Sequence, residues 1–426
     1  MREGRFAVGL GGVVLAALVL RVGYVMVFTR HENGKLYDSF WYGVTANELS
    51  QGHFFEAPFA NSSTAAHPPL TSLLIGGASF IVGRHNGTTV QRLTMAVLGA
   101  AVVLFVGLLG RAVAGPWVGL TAAGLAAVAP NFWMPSGILM SETPAMLLMA
   151  LILLAVVRVL RHPTVPSALL LGAACGAEAL VRAELVLFVP FLLVPAVLLA
   201  RRLPFRRRCV LLAVGVVASM AVVAPWVGRN LTTFEDPTYL STGDGLALLG
   251  ANCPQTYQGP YLGSWALGCA ASIAGNEESV VSTRDQHAAV EYIEHHASRI
   301  PLVMVARVGR LWDFYEPIQM ADADVNEGRP VPASLAGLGF YYVLLPLGMA
   351  GIVILRRRRI RQWFLVVPAG VVTLVSALVY GLVRFRAPFE VCLVVLASPP
   401  LVLAAQAVGR RMRPDTPSAP ASEEIG

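Results

Sequence analysis

The sequence is short of charged residues. Only 13% of its 426 residues are Asp, Glu, Lys or Arg, whereas roughly 25% is typical of a soluble domain. The mean hydropathy is +0.64, and 56% of the residues are hydrophobic. These values exclude a soluble enzyme and a disordered regulator. Five cysteines are also too few for a disulfide-based scaffold.

Lysine is almost absent. Lys35 is the only lysine among the 32 basic residues, so arginine carries the net charge of +7. Most arginines stand beside apolar runs, which is typical of a protein oriented in a membrane rather than of a nucleic-acid-binding protein. We therefore expect no nucleic acid among the partners. The preference for Arg, Ala, Val, Leu and Gly indicates a bacterium with a GC-rich genome.

Common signatures of nucleotide and metal chemistry are also missing. No Walker sequence is present, which argues against ATP-driven transport. The eight histidines show no tight zinc-ligand spacing. We find no sequence repeat of the kind seen in many transporters.

Long apolar runs predict an all-α, polytopic transmembrane bundle. Because about 20 apolar residues cross a bilayer as a helix, we expect about 10–12 spans. The run at residues 68–83 is shorter than the others. No run alternates like the strand of a membrane barrel. The predicted spans lie near residues 6–28, 93–110, 117–134, 143–160, 165–181, 184–200, 209–227, 337–355, 362–383 and 388–408.

Arginine clusters predict how the chain is oriented in the plasma membrane. Loops that are rich in Arg remain in the cytoplasm. The clusters assigned to that side are Arg2 with Arg5, residues 201–208, residues 356–361, and Arg410 with Arg411 and Arg413.

This assignment places residues 29–67 and 228–335 on the extracytoplasmic side. It requires an odd number of crossings between residue 68 and Arg201, but six apolar runs lie there. We therefore predict that 68–83 dips into the membrane, or lies along it, without crossing.

The spans divide the chain into parts, and the outer loops carry predicted interfacial helices. In the first loop, a helical stretch from Asp38 to Gly52 is rich in aromatic residues, which suits the headgroup level. In the second loop, helices are predicted near 279–299 and 301–312. The predicted parts are an N-terminal transmembrane catalytic module (1–227, including loop 29–67), an extracytoplasmic loop domain (228–335), C-terminal transmembrane helices (336–409) and a disordered tail (410–426).

Two cysteines fall in the second outer loop. Cys253 and Cys269 would close about 15 residues of chain in an oxidising compartment, which favours a disulfide. The alternative is two unrelated loop thiols.

Charged residues near the outer ends of the spans are candidates for function, because charge in a membrane is costly. Asp38 lies among interfacial aromatics, where it suits a general base; a helix N-cap is the alternative. Glu142 fits either a functional role or the first turn of a helix. Arg182 with Glu184 fits either a site or a simple ion pair between spans. For Arg384 and Arg386, snorkelling to the surface and binding a lipid phosphate are both open.

Several motifs follow one another in a recognisable order. They are Asp38 with Tyr42, Ala46, Leu49 and Gly52; His67-Pro68-Pro69-Leu70; Ser141-Glu142-Thr143; Leu180-Val181-Arg182-Ala183-Glu184; Pro225-Trp226-Val227-Gly228-Arg229-Asn230; and Arg384-Phe385-Arg386-Ala387-Pro388. Together they resemble the GT-C superfamily of integral-membrane glycosyltransferases. More narrowly, they resemble the family 39 group, which includes protein O-mannosyltransferases and the lipid A aminoarabinose transferase.

The resemblance implies a hexosyl- or pentosyltransferase that uses a polyprenyl-phosphate sugar. The acceptor would be a protein, a lipid or a cell-envelope glycan, and the transfer would take place on the extracytoplasmic side. Membrane lipids are expected among the partners. Asp38 is implied to be the general base of an inverting transfer. Many members carry Asp-Glu at this point, whereas this chain has Asp38-Ser39. The candidate substrate-binding residues are Tyr42, His67, Glu142, Arg182, Glu184, Arg229, Asn230, Arg384 and Arg386.

One carboxylate is chemically sufficient for this reaction. The polyprenyl phosphate leaves already charged, so only the acceptor hydroxyl needs a base, and arginine can neutralise the phosphate. We therefore expect no metal and no cofactor besides the lipid-linked donor.

A different class of function is the alternative: a polytopic lipid or polysaccharide transporter, or a non-catalytic membrane partner of envelope assembly. That hypothesis predicts two similar halves and charges in mid-bilayer, and the two unequal outer loops argue against it. The enzyme hypothesis predicts that Asp38 shares a cavity with the outer ends of the spans at residues 142, 182 and 384.

Overall fold

A computed structural model describes residues 3–30, 38–57, 62–83, 87–200, 203–269 and 277–411. These residues are helical and form no strand; one isolated bridge joins Glu56 and Ser63. The predicted all-α class is confirmed. The predicted tail beyond residue 411, and Arg2, Arg201, Arg202 and Arg413 of the arginine clusters, lie outside the described residues.

The α-helices are α1 Glu3–Tyr24, α2 Asp38–Gln51, α3 Leu70–Val82, α4 Thr88–Ala114, α5 Pro116–Val128, α6 Pro130–Trp133, α7 Glu142–Arg161, α8 Val165–Ala179, α9 Val194–Leu198, α10 Phe205–Thr233, α11 Gly243–Ala251, α12 Pro254–Tyr257, α13 Glu278–His295, α14 Ile300–Leu311, α15 Pro317–Ala323, α16 Val331–Arg357, α17 Trp363–Leu378 and α18 Ala387–Arg411. Short 3₁₀ segments lie at Met134–Gly137, Ala183–Leu187, Gly259–Tyr261, Leu267–Cys269, Ala297–Arg299, Asp324–Glu327 and Val383–Arg386, and π segments at Val25–Thr29 and Val189–Leu193.

Every predicted span contains helical residues, although 117–134 and 184–200 are each divided into shorter helical segments. The chain is a multi-pass membrane protein. Shorter apolar segments, among them α5, α8 and α17, account for the remaining predicted spans. In the described part of the chain, six helical segments are long and apolar enough to cross a membrane: Glu3–Thr29, Thr88–Ala114, Glu142–Arg161, Phe205–Thr233, Val331–Arg357 and Val383–Arg410.

The short helix α3 packs against α2 rather than standing alone. Its 13 residues reach about 20 Å at 1.5 Å per residue, whereas the apolar part of a bilayer is about 30 Å thick. The helix ends at Gly83, whose φ of 70° suits a left-handed cap. A Cβ atom on Gly76 would lie 2.9 Å from the carbonyl oxygen of Ala46 in α2. Helix α3 is therefore held against α2, and its place relative to the membrane stays a prediction.

Glycine lets the central helices approach closely. The most apolar window of α7 is 67% buried, whereas that of α10 is 22% buried, so α7 is central and α10 peripheral. A Cβ atom on Gly172 of α8 would lie 1.9 Å from the carbonyl oxygen of Gly215 in α10. Because helix association in lipid relies on van der Waals contact, such small residues allow the backbones to pack.

The two outer loops are tied to each other by Glu278, at the start of α13. Its carboxylate accepts hydrogen bonds from the Thr64 hydroxyl (2.7 Å), the backbone N–H of Ala65 (3.0 Å) and the Thr242 hydroxyl (2.8 Å). In the second loop, Cys253 and Cys269 are joined by a disulfide. The chain around residues 64–67 is therefore held from the second loop.

Helical residues extend into the predicted second outer loop, 228–335, from both ends. Helix α10 continues to Thr233, and α16 begins at Val331. The hydroxyls of Thr232 and Thr233 donate back to the carbonyl oxygen of Arg229, which helps to satisfy the last turn of α10. The spans therefore extend beyond their apolar stretches.

Helix α14 turns its polar side inward. Arg307 is buried and donates to the carbonyl oxygens of Ala377 and Leu378, at the end of α17. Leu302 and Val305 are exposed on the other side. The arginine thereby satisfies carbonyl groups that a helix end leaves without partners, and it fixes the second loop to the bundle.

Candidate active site

Asp38, the first residue of α2, forms an ion pair with Arg384. Its Oδ2 lies 2.7 Å from Nη1 of Arg384, and the two side chains are 34% and 12% exposed. Its other oxygen, Oδ1, lies 3.8 Å from Nε2 of His67. The His67 ring stacks on Tyr42, with ring centroids 4.6 Å apart. Three predicted site residues, Tyr42, His67 and Arg384, therefore surround Asp38.

Charges around Asp38 set its protonation. Burial alone would raise the pKa of this carboxyl group, but the positive charge of Arg384 lowers that pKa to about 2. Burial holds the pKa of His67 below its usual range. At neutral pH Asp38 is therefore ionised beside a neutral imidazole.

A small cavity is lined in part by His67. Trp41, Thr45, Phe55 and Ser72 are among its other lining residues. Its walls combine aromatic rings with hydroxyl groups, and its space is that of about one water molecule.

Arg384 has a second carboxylate partner, Glu327. Oε1 of Glu327 lies 3.2 Å from the same Nη1 atom that contacts Asp38. Burial raises the pKa of Glu327 to about 7, although Arg384 and Arg329 oppose this change. The other oxygen, Oε2, is buried and has no hydrogen-bond partner. Glu327 therefore titrates near neutral pH, unlike Asp38.

Glu142 joins the same cluster through Arg329. Nη2 of Arg329 lies 3.1 Å from Oε1 of Glu142, and both side chains are buried. The guanidinium of Arg329 also lies 3.9 Å from Glu327 and 3.9 Å from Asp324. A series of ion pairs thus runs from Glu142, at the start of α7, to Asp38.

Arg182 approaches the cluster from the turn after α8. Its Nε lies 2.7 Å from Oε1 of Glu184, so the predicted ion pair is present. The guanidinium also lies over the ring of Phe385, 4.6 Å from its centroid, and Arg384 lies 5.8 Å from the same centroid. Phe385 therefore brings two cationic groups close to one ring.

Arg386 does not join this cluster. Its Nη1 lies 2.9 Å from Asp313 and its Nε lies 3.0 Å from Glu390, and the side chain is completely buried. The guanidinium stacks on Tyr341 at 3.6 Å. Arg386 therefore occupies a separate ion-pair network inside the bundle.

Arg229 and Asn230 hold the loops instead of facing Asp38. Arg229 donates to the carbonyl oxygens of Phe55 and Thr64, at 3.1 Å each. Asn230 is buried and donates to the carbonyl oxygen of Tyr239 at 3.0 Å. These contacts connect the end of α10 to both outer loops.

Sequence reasoning missed Glu327 and Arg329. Both stand just before α16 at its predicted outer end, where positive charge is normally depleted. The rule that selected Arg384 as an outer-face arginine would also have selected Arg329. Glu327 lies outside any apolar run, so it carried no such signal.

The cluster is a carboxylate–guanidinium site. In the described residues, no group of three His, Cys, Asp or Glu side chains could hold a metal ion. Two of its guanidinium groups lie near Phe385: Arg384, which contacts Asp38, and Arg182.

Comparisons with solved structures show the fold. The oligosaccharyltransferase from Archaeoglobus fulgidus in its apo form is 17% identical, with a TM-score of 0.57, over 96% of this chain and 52% of that chain. The same archaeal enzyme, AglB, in complex with an inhibitory peptide and a dolichol-phosphate, is 16% identical, with a TM-score of 0.55, over 97% of this chain and 52% of that chain. The chain thus has the GT-C membrane fold and spans about half the length of that enzyme.

Within this class, residues 66–228 match the family described as dolichyl-phosphate-mannose-protein mannosyltransferase. The resemblance to GT-C glycosyltransferases and to the mannosyltransferase-like family is therefore confirmed. A further similar structure is ArnT from Cupriavidus metallidurans bound to undecaprenyl phosphate, which is 16% identical, with a TM-score of 0.43, over 97% of this chain and 82% of that chain. No curated protein matches the chain in sequence.

Proposed function

We propose that the protein is a glycosyltransferase that moves a sugar from a polyprenyl-phosphate donor to an acceptor on the extracytoplasmic side of the plasma membrane. The observation that carries the proposal is the ionised carboxylate of Asp38, 2.7 Å from Arg384, with Arg182 over the ring of Phe385, close to which Arg384 also lies. A base and anion-binding groups are thus adjacent. The matched family and the dolichol-phosphate in the archaeal enzyme of similar fold support a lipid-linked donor.

In the proposed reaction, Asp38 is the general base. The acceptor oxygen attacks the anomeric carbon from the face opposite the phosphate, and the bond between that carbon and the phosphate oxygen breaks. The electron pair leaves with the phosphate, while the acceptor proton passes to Asp38. The configuration of the sugar is inverted. A hydroxyl group of a protein, lipid or envelope glycan fits this chemistry.

The guanidinium groups stabilise the leaving phosphate in this proposal. The phosphodiester of the donor becomes a monoester with an additional negative charge, and Arg384 and Arg182 are placed to balance it. The reaction then needs no metal ion for charge balance. His67 and Tyr42 line the approach to Asp38 and are proposed to contact the substrates.

Replacement of the base tests the proposal. Membranes containing the Asp38→Asn variant are supplied with a labelled polyprenyl-phosphate sugar, and transfer to endogenous acceptors is measured. We expect transfer to fall by roughly 10²- to 10⁴-fold, the usual contribution of a general base. The matched control is Asp322→Asn, because Asp322 is exposed. Unchanged transfer by Asp38→Asn would contradict the proposal.

The acceptor can be identified by mass analysis of envelope lipids and glycans from a deletion strain. An accumulating molecule that lacks one sugar residue identifies the acceptor. Restoration by the wild-type gene, but not by Asp38→Asn, assigns the missing sugar to this site.

A further inference from the structure

Arg384 is shared by two carboxylates at one nitrogen atom. Its Nη1 lies 2.7 Å from Asp38 and 3.2 Å from Glu327. Because Nη1 carries two N–H groups and contacts two carboxylates, a phosphate oxygen can bind this nitrogen only if one partner withdraws. The longer contact, to Glu327, is the one that is easier to exchange.

The cluster already contains more negative than positive groups. The ion pairs link four carboxylates, Asp38, Glu142, Asp324 and Glu327, to two guanidiniums, Arg329 and Arg384. The Arg182–Glu184 pair beside them adds one charge of each sign. An anionic donor that enters this cluster adds a further negative charge at low dielectric. When carboxylates and a phosphate lie close together, their mutual repulsion raises the pKa of the carboxyl groups and favours protonation of one of them.

We propose that Glu327 is a positioning residue: an anionic phosphate replaces it at Arg384, and Glu327 takes up one proton as it is displaced. The inference rests on the proposed function, because the anion is the phosphodiester of the lipid-linked donor. Asp38 remains paired and ionised, so it is still available as the base.

The surroundings of Glu327 explain why it, and not Asp38, accepts the proton. Its side chain is 16% exposed, compared with 34% for Asp38, and its Oε2 has no hydrogen-bond partner that would favour the ionised form. The charged groups that face it are Arg384, Arg329, Glu142 and Asp324. The pKa of about 7 that burial gives this residue is consistent with proton uptake at neutral pH.

The exchange also fits the charge change of the reaction. The acceptor proton goes to Asp38, and the departing phosphate gains a negative charge. A neutral Glu327 leaves Arg384 free to bind this more highly charged product. When the product leaves, Glu327 releases its proton and pairs with Arg384 again.

Calorimetry of lipid binding tests the proposal. The probe is mannosyl-phosphoryl-undecaprenol, a phosphodiester, because a phosphate monoester would itself titrate near pH 6. Binding to the full chain in detergent is measured between pH 6 and 9 in buffers of different ionisation enthalpy. These buffers report the number of protons taken up.

For the wild type, we expect proton uptake on binding and a Kd that rises by up to about tenfold per pH unit above the pKa of Glu327. In Glu327→Gln, which is always neutral, proton uptake is lost and the Kd stays near the wild-type value at low pH. Glu327→Asp should retain the pH dependence. Glu294→Gln is the control, because Glu294 is exposed on α13.

The outcomes separate the two proposals. If the wild type binds the lipid but Glu327→Gln has the same proton uptake and pH dependence, the role of Glu327 is wrong and the proposed function stands. If the wild type binds no lipid at any pH, the proposed donor and the inference both fail. A destabilised Glu327→Gln variant is recognised by its thermal unfolding, and Glu327→Asp then provides the test: a Kd that does not change with pH would overturn the inference.

Discussion

Arg384 and Arg386 stand two residues apart in the same 3₁₀ segment, yet their surroundings differ. Arg384 is 12% exposed, and its partners Asp38 and Glu327 lie in the outer loops. Arg386 is fully buried between Asp313 and Glu390. In a 3₁₀ segment of three residues per turn, residues i and i+2 point in different directions. One guanidinium therefore faces the candidate site, and the other faces the interior of the bundle.

The comparison shows that an arginine near the outer face is not functional by position alone. Arg386 has two carboxylate partners in addition to the carbonyl oxygen of Leu311 (3.1 Å), so its charge is compensated inside the protein. Arg384 shares a single nitrogen between two carboxylates that are partly exposed. The two arginines therefore differ in exposure: Arg384 is 12% exposed, whereas Arg386 is completely buried.

The largest effect is expected when the buried ion-pair network of Arg386, Asp313 and Glu390 is broken. Arg386→Met leaves Asp313 and Glu390 as unpaired buried carboxylates, which costs about 3–5 kcal/mol. We expect a clear loss of thermal stability in detergent and less folded protein in the membrane. The control is Arg410→Met, at the exposed end of α18. Normal stability of Arg386→Met would show that the network is not structural.

The second largest effect is expected at the candidate active site around Asp38. Arg384→Met removes the group that is proposed to stabilise the leaving phosphate, and we expect sugar transfer to fall by roughly 10²- to 10³-fold. Thermal stability should change less than in Arg386→Met, because Asp38 is 34% exposed and Glu327 keeps its contact with Arg329. Transfer is measured with labelled donor in membranes. A variant that unfolds like Arg386→Met would remove the distinction between the two arginines.

A smaller effect is expected at the contact between the outer loops. Glu278→Gln replaces one acceptor oxygen with an NH₂ group and weakens a set of charged hydrogen bonds, at a cost of about 1.5–3 kcal/mol. Hydrogen exchange of the backbone near residues 64–67 should become faster, while exchange in α7 remains slow. Equal exchange in the variant and the wild type would mean that Glu278 does not hold this segment.

The smallest effect is expected from removal of metal ions. Because the proposed charge partners of the phosphate are Arg384 and Arg182, transfer in membranes treated with EDTA should equal transfer in untreated membranes. The measurement is repeated after addition of Mg²⁺ or Mn²⁺ as the control. Loss of transfer with EDTA and recovery with a metal ion would contradict this charge assignment.

The sequence alone was enough to predict the helices. Each apolar run forms a helix because the membrane requires every backbone N–H and C=O group to be satisfied within its own segment. This rule acts locally, so the positions of α4, α7 and α16 could be predicted from run length. The helical stretch after Asp38 in the first outer loop was predicted for a different reason, namely its aromatic residues, which suit the headgroup level.

The tertiary structure alone decided how the charges are paired. Glu142 and Arg329 are far apart in sequence, and their contact of 3.1 Å depends on how α7 packs beside the start of α16. Arg386 had the same sequence signal as Arg384 but lies in a different network, because the turn directs the two side chains to different neighbours. The length of an apolar run is a property of one segment and can be read from the sequence. An ion pair depends on the relative positions of two segments, and only the packing of the bundle determines those positions.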